Sequence, residues 1–358
     1  MSYKQFGLVL MVDHACNLRC TYCYAGKKSD RTMPLEIGQT AIDRTIASIE
    51  PGGKLELGFS GGEPLMQAEL VSKLIGYARR QTHLSELDLS LSITTNGTQT
   101  APRAWSLMTL PDMHLAISHD GLPEMHDGHR QFADGQGSSD CVLDTMQRLL
   151  AVGKDFRVVM VVRPDNVRFL PEGIEFLYDM GVRKFEPSLD LWTRWTSEDI
   201  GHLATIIWRC ASIWRDHHPE IGITWFDEKA AAMSCVPAGD TTRCGFGPGE
   251  IAVAPSGRFY PCERLIGDDD EGNSMRFPGN IYTGRDFLKI RSAPCRDSDA
   301  CESCSIQSIC NTTCRCSNYV RTGDVTKPDG LLCMLNQVCA RETARVLEEV
   351  RSGLAHAV

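Results

Sequence analysis

The chain is 358 residues long, enough for one large domain or two of ordinary size, and its 42% hydrophobic and 23% charged residues are the balance of an ordinary globular protein. A formal charge of −9 leaves no basic excess for neutralising phosphates, so nucleic acid is not an expected partner. No stretch reaches the roughly 20 apolar residues of a membrane span. The apolar run from Phe6 to Val12 is broken at once by Asp13 and His14, so neither signal peptide nor membrane anchor is expected and the location should be cytoplasmic.

From residue 5 to about 218, short apolar runs alternate with longer amphipathic segments. Strands are expected at 6–12, 54–60, 87–94, 113–118, 156–162 and 182–189, and Leu87-Asp88-Leu89-Ser90-Leu91-Ser92-Ile93 shows the period of two clearly. Helices are expected at 34–50, 67–80, 101–109, 139–153, 168–180 and 196–216, with Pro34 and Pro171 in first turns and Gly153 and Gly181 as stops. Six strand–helix units in succession imply a parallel sheet with right-handed crossovers, either open and doubly wound or a partial barrel. In both, ligands bind beyond the C-terminal ends of the strands. The unusual residues fall there. A cysteine loop follows the first strand, Ser60-Gly61-Gly62-Glu63-Pro64 the second, Thr95-Asn96-Gly97 the third and Ser118-His119-Asp120-Gly121 the fourth.

Residues 219–243 carry no clear pattern and read as a connector. From Cys244 onward periodicity is lost, apart from a hairpin expected at Ile251–Val253 and Phe259–Tyr260 and a last amphipathic helix at 335–351. So little apolar content could hardly order itself by burial alone, and bound metal would supply the organisation.

The 16 cysteines point the same way, because thiols clustered in a reducing compartment read as metal ligands. Three lie near the N-terminus and eleven between Cys235 and Cys339. Cys141 and Cys210 stand alone and read as small buried apolar residues. Cys16, Cys20 and Cys23, spaced C-x3-C-x2-C, give three thiolates where a closed zinc or iron–sulfur site takes four. That arithmetic points to a cluster with one iron open, a zinc knuckle being the plainer alternative.

This loop, with Tyr22 before its last cysteine, resembles the signature of the radical S-adenosylmethionine (SAM) enzymes. The resemblance implies a [4Fe–4S] cluster on Cys16, Cys20 and Cys23, SAM on the fourth iron, and a 5′-deoxyadenosyl radical that abstracts hydrogen. Gly61-Gly62-Glu63 resembles the motif that receives the methionyl group, where glycines allow close approach and a carboxylate or carbonyls accept from the ammonium. Asn96 and Ser118 resemble contacts to the ribose, although Asn96 is equally suited to a cap or turn. Arg130 resembles the arginine that pairs with the SAM carboxylate. His119, His126 and His129 read as surface or turn residues.

The C-terminal cysteines are similar to the SPASM extension of the same enzymes. By that resemblance Cys301, Cys304, Cys310 and Cys333 would hold a distal auxiliary [4Fe–4S] cluster, Cys339 being an alternative to Cys333. Cys244, Cys262 and Cys314 would hold a proximal one, making three clusters in all. The proximal fourth ligand is open between Cys235, Cys316 and none, since 245–250 lacks the cysteine that sulfatase-maturating members carry. Those members also place an aspartate base after the second proximal cysteine, where this chain has Glu263.

The implied fold is α/β, a partial (β/α)6 TIM-like barrel at 1–225, a connector at 226–243, a loop-rich SPASM domain at 244–340 and a C-terminal helix and tail at 341–358. The implied activity is oxidative crosslinking of a ribosomally made precursor peptide, C–C or thioether. Formylglycine formation on a sulfatase is the runner-up, and an iron–sulfur electron carrier the reading from another class. An electron donor such as flavodoxin or ferredoxin is expected. Because the chain opens directly on its first strand, a leader-recognition protein, if needed, is expected to be separate.

Overall fold

The computed structural model describes residues 3–234, 249–283, 301, 303–310 and 314–353. They fall into two compact units, each assembled from separate stretches of chain: residues 1–117, 130–155 and 242–294 in the first, and 118–129, 156–241 and 295–358 in the second.

The first unit is built around β1 (Tyr3–Asp13). Phe6, Leu8, Leu10 and Val12 are wholly buried, and Met11 nearly so, so both faces of the strand are covered. That is the mark of a central parallel strand, and each such side chain contributes about 1.5–3 kcal/mol by leaving water. β1 pairs in parallel with β2 (Ile49–Gly61), which pairs with β3 (Asp88–Thr95), which pairs with β4 (Met113–Ser118). Helices α1 (Leu35–Ile46), α2 (Ala68–Leu84) and α3 (Pro102–Met108) make the crossovers.

On its other edge β1 pairs, again in parallel, with β8 (Glu250–Val253), which turns back into β9 (Phe259–Tyr260). The hairpin expected at these residues is present, but it extends the sheet of the first unit. Residues 34–50 were expected to be helical throughout. The helix ends at Ile46 and β2 starts at Ile49, opposite Tyr3. Pro51 disfavours a helical Glu50 and releases the chain into the strand.

In the second unit, α4 (Pro123–Asp127) precedes β5 (Phe156–Val162), which pairs in parallel with β6 (Lys184–Leu189), and β6 with β7 (Gly222–Ile223). Between them run α6 (Leu170–Met180), stopped by left-handed Gly181 as expected, and α7 (Ser197–Asp216), opened by a capping box of Thr196 and Asp199. The helix α5 (Ser139–Ala151) belongs to the first unit.

Residues 219–243 are not featureless. They contain β7 and the helix α8 (Thr224–Met233). α8 buries Phe226 and Lys229, and a buried lysine is invisible to a search for apolar periodicity. The same reason hides α9 (Arg315–Thr322), whose buried residues are Arg315, Cys316, Ser317 and Asn318. The last helix, α10 (Gly330–Arg351), begins earlier than expected because Asp329 caps it through the Leu331 amide. No helix among the described residues is long and apolar enough to cross a membrane.

Candidate active site

The ends of β1 to β4 carry Asp13, Gly61, Thr95 and Ser118. Asp13 is buried and anchors the cysteine loop, its carboxylate accepting from the Ala15 amide at 2.8 Å, the Thr32 hydroxyl at 3.2 Å and the Gln67 side chain at 2.5 Å. The Gly62 amide donates to the Asp13 carbonyl at 2.7 Å, and the Glu63 amide to the Ala15 carbonyl at 2.9 Å. A Cβ on Gly62 would lie 2.0 Å from the Ala15 oxygen, and one on Gly61, at φ +151°, 2.5 Å from that of Asp13. The glycine pair is therefore required by the backbone of the cysteine loop itself, laid directly across the end of β2. The expected reason was close approach of a ligand.

The three thiols of the loop differ in environment. Cys16 is half-buried, and its sulfur accepts from the Leu18 amide at 3.4 Å and the Asn96 side-chain amide at 3.7 Å. Burial pushes this thiol up to about 11, against the smaller effect of the Leu18 amide. A bare thiolate is thus disfavoured there, and a bound cation would supply the missing counter-charge. Cys20 is half-buried, and Cys23 is exposed and accepts from the Lys28 ammonium at 2.9 Å. Among the described residues no three His, Cys, Asp or Glu side chains close on a single metal ion. The donor set, three thiolates on one loop, suits a cluster in which each takes its own iron.

A second wall comes from residues after α4. Leu18 and Phe132 form an antiparallel bridge, and the Arg19 amide donates to the Gln131 carbonyl at 2.7 Å. This brings Arg130, 6% exposed, over the ring of Tyr22 with its guanidinium carbon 5.2 Å from the centroid. The Ser138 hydroxyl fixes the Arg130 carbonyl at 2.6 Å.

Glu63 lies below the rim, 1% exposed. Its Oε1 accepts from the Leu65 amide at 3.0 Å and the Thr95 hydroxyl at 2.7 Å, and its Oε2 from the Asn96 amide at 2.7 Å. Burial raises its pKa to about 7, opposed by those three donors. The carboxylate expected beside the methionyl ammonium thus ties the end of β2 to the end of β3. Asn96 does build a turn, its Oδ1 accepting from the Thr98 amide at 3.0 Å, and its amide nitrogen still reaches Cys16.

Ser118 is half-buried at the end of β4. His119 and His126 are not surface residues: both are fully buried in the second unit, stacked with ring centroids 4.1 Å apart. They accept at Nδ1 from the Gly121 and Asp120 amides respectively, which folds the turn after β4 into the interior. Cys141 is exposed, not buried as expected, while Cys210 is buried. A single cysteine on an amphipathic helix gives no sign of which face it takes.

Cys301, Cys304, Cys310 and Cys333 are half-buried in the second unit, and the first three raise the Cys333 thiol electrostatically, after burial. Cys314 and Cys316 are also in that unit, sulfurs 3.1 Å apart, with Cys316 buried. Cys262 is buried in the first unit, and its thiol donates to the Glu263 carboxylate at 3.4 Å. Cys235 and Cys244 lie outside the described residues. Asp13 and Lys28 were missed in the sequence, although a lone carboxylate ending an apolar strand was signal enough for the first.

The family description "Radical SAM superfamily" matches residues 12–177, which contain the cysteine loop, the glycine turn and Arg130. Residues 12–177 thus carry a radical SAM domain. It is 30% identical over 184 residues to an uncharacterized protein of Methanocaldococcus jannaschii, a match spanning 51% of this chain and 62% of that one. A cysteine-type anaerobic sulfatase-maturating enzyme of Clostridium novyi is 23% identical, with 84% of this chain and 85% of the relative covered. A PqqA peptide cyclase of Streptomyces rochei is also 23% identical, over 90% and 88%. Among solved structures, anSMEcpe with bound AdoMet superposes with a TM-score of 0.80 at 18% identity, covering 97% of this chain and 96% of the other, so the α/β fold is shared.

Proposed function

We propose that this chain is a radical SAM/SPASM maturase that takes a hydrogen atom from a ribosomally made peptide and closes an oxidative C–C or thioether crosslink in it. The observation that carries the reading is the cysteine loop seated on the Gly61–Gly62 turn, walled by Tyr22 and Arg130. Similarity along most of the chain to a peptide cyclase supports the choice of substrate class.

Cys16, Cys20 and Cys23 would hold the SAM-binding [4Fe–4S] cluster. Tyr22, Asn96, Ser118, Arg130 and the backbone of Gly61 and Gly62 would hold SAM. When bound, this pair supplies a 5′-deoxyadenosyl radical. The chain's own residues orient and protect it. Arg130 offers a planar fork matched to a carboxylate, and its guanidinium lies over the Tyr22 ring. Asn96 and Lys28 direct hydrogen bonds at the sulfurs of Cys16 and Cys23, which stabilises thiolate charge. Glu63 acts through the rim, holding the ends of β2 and β3 at fixed spacing. Cys301, Cys304, Cys310 and Cys333, and Cys244, Cys262 and Cys314 with Cys235 as the candidate fourth ligand, would hold two auxiliary clusters able to take up the second electron.

Anaerobic incubation with SAM and dithionite should yield 5′-deoxyadenosine, and Cys20→Ala should abolish it. With a precursor peptide encoded beside the gene, each crosslink removes two hydrogens from the peptide mass. Absence of 5′-deoxyadenosine under reducing conditions would sink the reading.

Formylglycine formation is the second reading, favoured by the sulfatase-maturating relative, with Glu263 beside Cys262 as a candidate base set one methylene further out than the aspartate of those members. A hydrazide-reactive aldehyde on a sulfatase peptide, with no crosslink, decides for it.

A further inference from the structure

α8 delivers a lysine to the interior of the second unit. Lys229 is 3% exposed, and its ammonium donates at 2.7 Å to the Ile309 carbonyl and at 2.7 Å to Oδ1 of Asn336. Both acceptors are neutral oxygens on segments that carry cysteines. Ile309 immediately precedes Cys310, and Asn336 lies one turn along α10 from Cys333. The Asn336 amide in turn donates to the Leu332 carbonyl at 2.9 Å, next to Cys333. One ammonium thus ties together two stretches that are far apart in sequence, each contributing a thiol to the group of Cys301, Cys304, Cys310 and Cys333.

A buried ammonium carries a large desolvation cost unless hydrogen bonds and negative charge offset it. Two hydrogen bonds are in place. A cubane cluster on four thiolates carries net negative charge, and gains more on reduction. A fixed cation beside it favours the reduced form.

We propose that Lys229 is the positioning residue and counter-charge of this four-cysteine site, holding the Cys310 and Cys333 segments together and raising the reduction potential of the [4Fe–4S] cluster they bind. The inference rests on the reading that these four cysteines share one cluster.

The test is an EPR-monitored redox titration of the anaerobically reconstituted full chain, comparing wild type with Lys229→Met, Lys229→Gln and Lys229→Arg. The midpoint of this auxiliary cluster should shift to more negative potential in Met and Gln and stay near wild type in Arg, and Met should lose iron to a chelator faster than Arg. If Met retains too little iron to titrate, the Gln and Arg pair decides the charge question. Identical midpoints for Gln, Arg and wild type overturn the proposal. A Cys301→Ala/Cys304→Ala/Cys310→Ala variant that keeps wild-type iron content overturns instead the underlying reading of a shared cluster, so the two failures are distinguishable.

Discussion

The side-chain amide of Asn96 donates both to the sulfur of Cys16, at 3.7 Å, and to Oδ1 of Asn17, at 3.0 Å. Asn17 donates to the Thr98 hydroxyl at 2.8 Å, which returns to Oδ1 of Asn96 at 2.7 Å. The first residues of the cysteine loop are thus closed into a ring of hydrogen bonds with the turn after β3. Asn96→Ala removes a donor to one thiolate and opens that ring. The cluster proposed on this loop should become harder to reduce, read as a more negative midpoint in a redox titration followed by EPR. An unchanged midpoint would show that the amide does not reach the sulfur once iron is bound.

Gly62→Ala tests the seat of the loop. Its Cβ would fall 2.0 Å from the backbone oxygen of Ala15, which has no rotamer by which to move aside. A cost of about 3 kcal/mol is expected from overpacking against backbone, seen as a lower denaturation midpoint and reduced iron at reconstitution. Gly52→Ala is the contrasting control, since nothing lies within 4 Å of its Cβ and only its left-handed φ of +75° is strained.

Glu63 gives a pH dependence. Burial raises its pKa in the folded protein to about 7, from 4.5. The folded state therefore holds this proton where the unfolded chain has released it, and stability falls as the pH rises from 4.5 through about 7. Glu63→Gln, neutral at every pH, should flatten that part of the profile in urea titrations. His14 acts in the opposite direction. Its pKa is lowered, mainly by burial, so it costs stability as the pH falls below 6.5. A profile for Glu63→Gln parallel to wild type between pH 5 and 7 would remove Glu63 as its source.

Arg130→Lys keeps the charge but loses the planar fork and alters the cation–π contact with Tyr22. The KM for SAM should rise by about tenfold, corresponding to roughly 1.4 kcal/mol of lost ground-state binding, with a smaller change in kcat. Equal loss in KM and kcat would assign Arg130 to the folding of the loop through Leu18 and Phe132.

The repeated strand–helix pattern and the rim location of the cysteine loop, Gly61–Gly62, Asn96 and Ser118 were legible in the sequence, because period and turn chemistry are local properties. The C-x3-C-x2-C spacing of Cys16, Cys20 and Cys23 was legible for the same reason. What local pattern could not give is which partner each polar group finds. Glu63 turns inward to Thr95 and Asn96, Asp13 becomes the anchor of the loop, His119 and His126 are buried against each other, and Lys229 bridges Ile309 and Asn336. Each of these is a polar side chain taken out of water, affordable only through hydrogen bonds to residues brought near by the fold. The sequence by itself determined most of the strands and helices and the spacing of the cysteines. Tertiary structure decided which polar groups face the site and which hold it together, since a buried polar group is stable only where distant chain segments supply its partners.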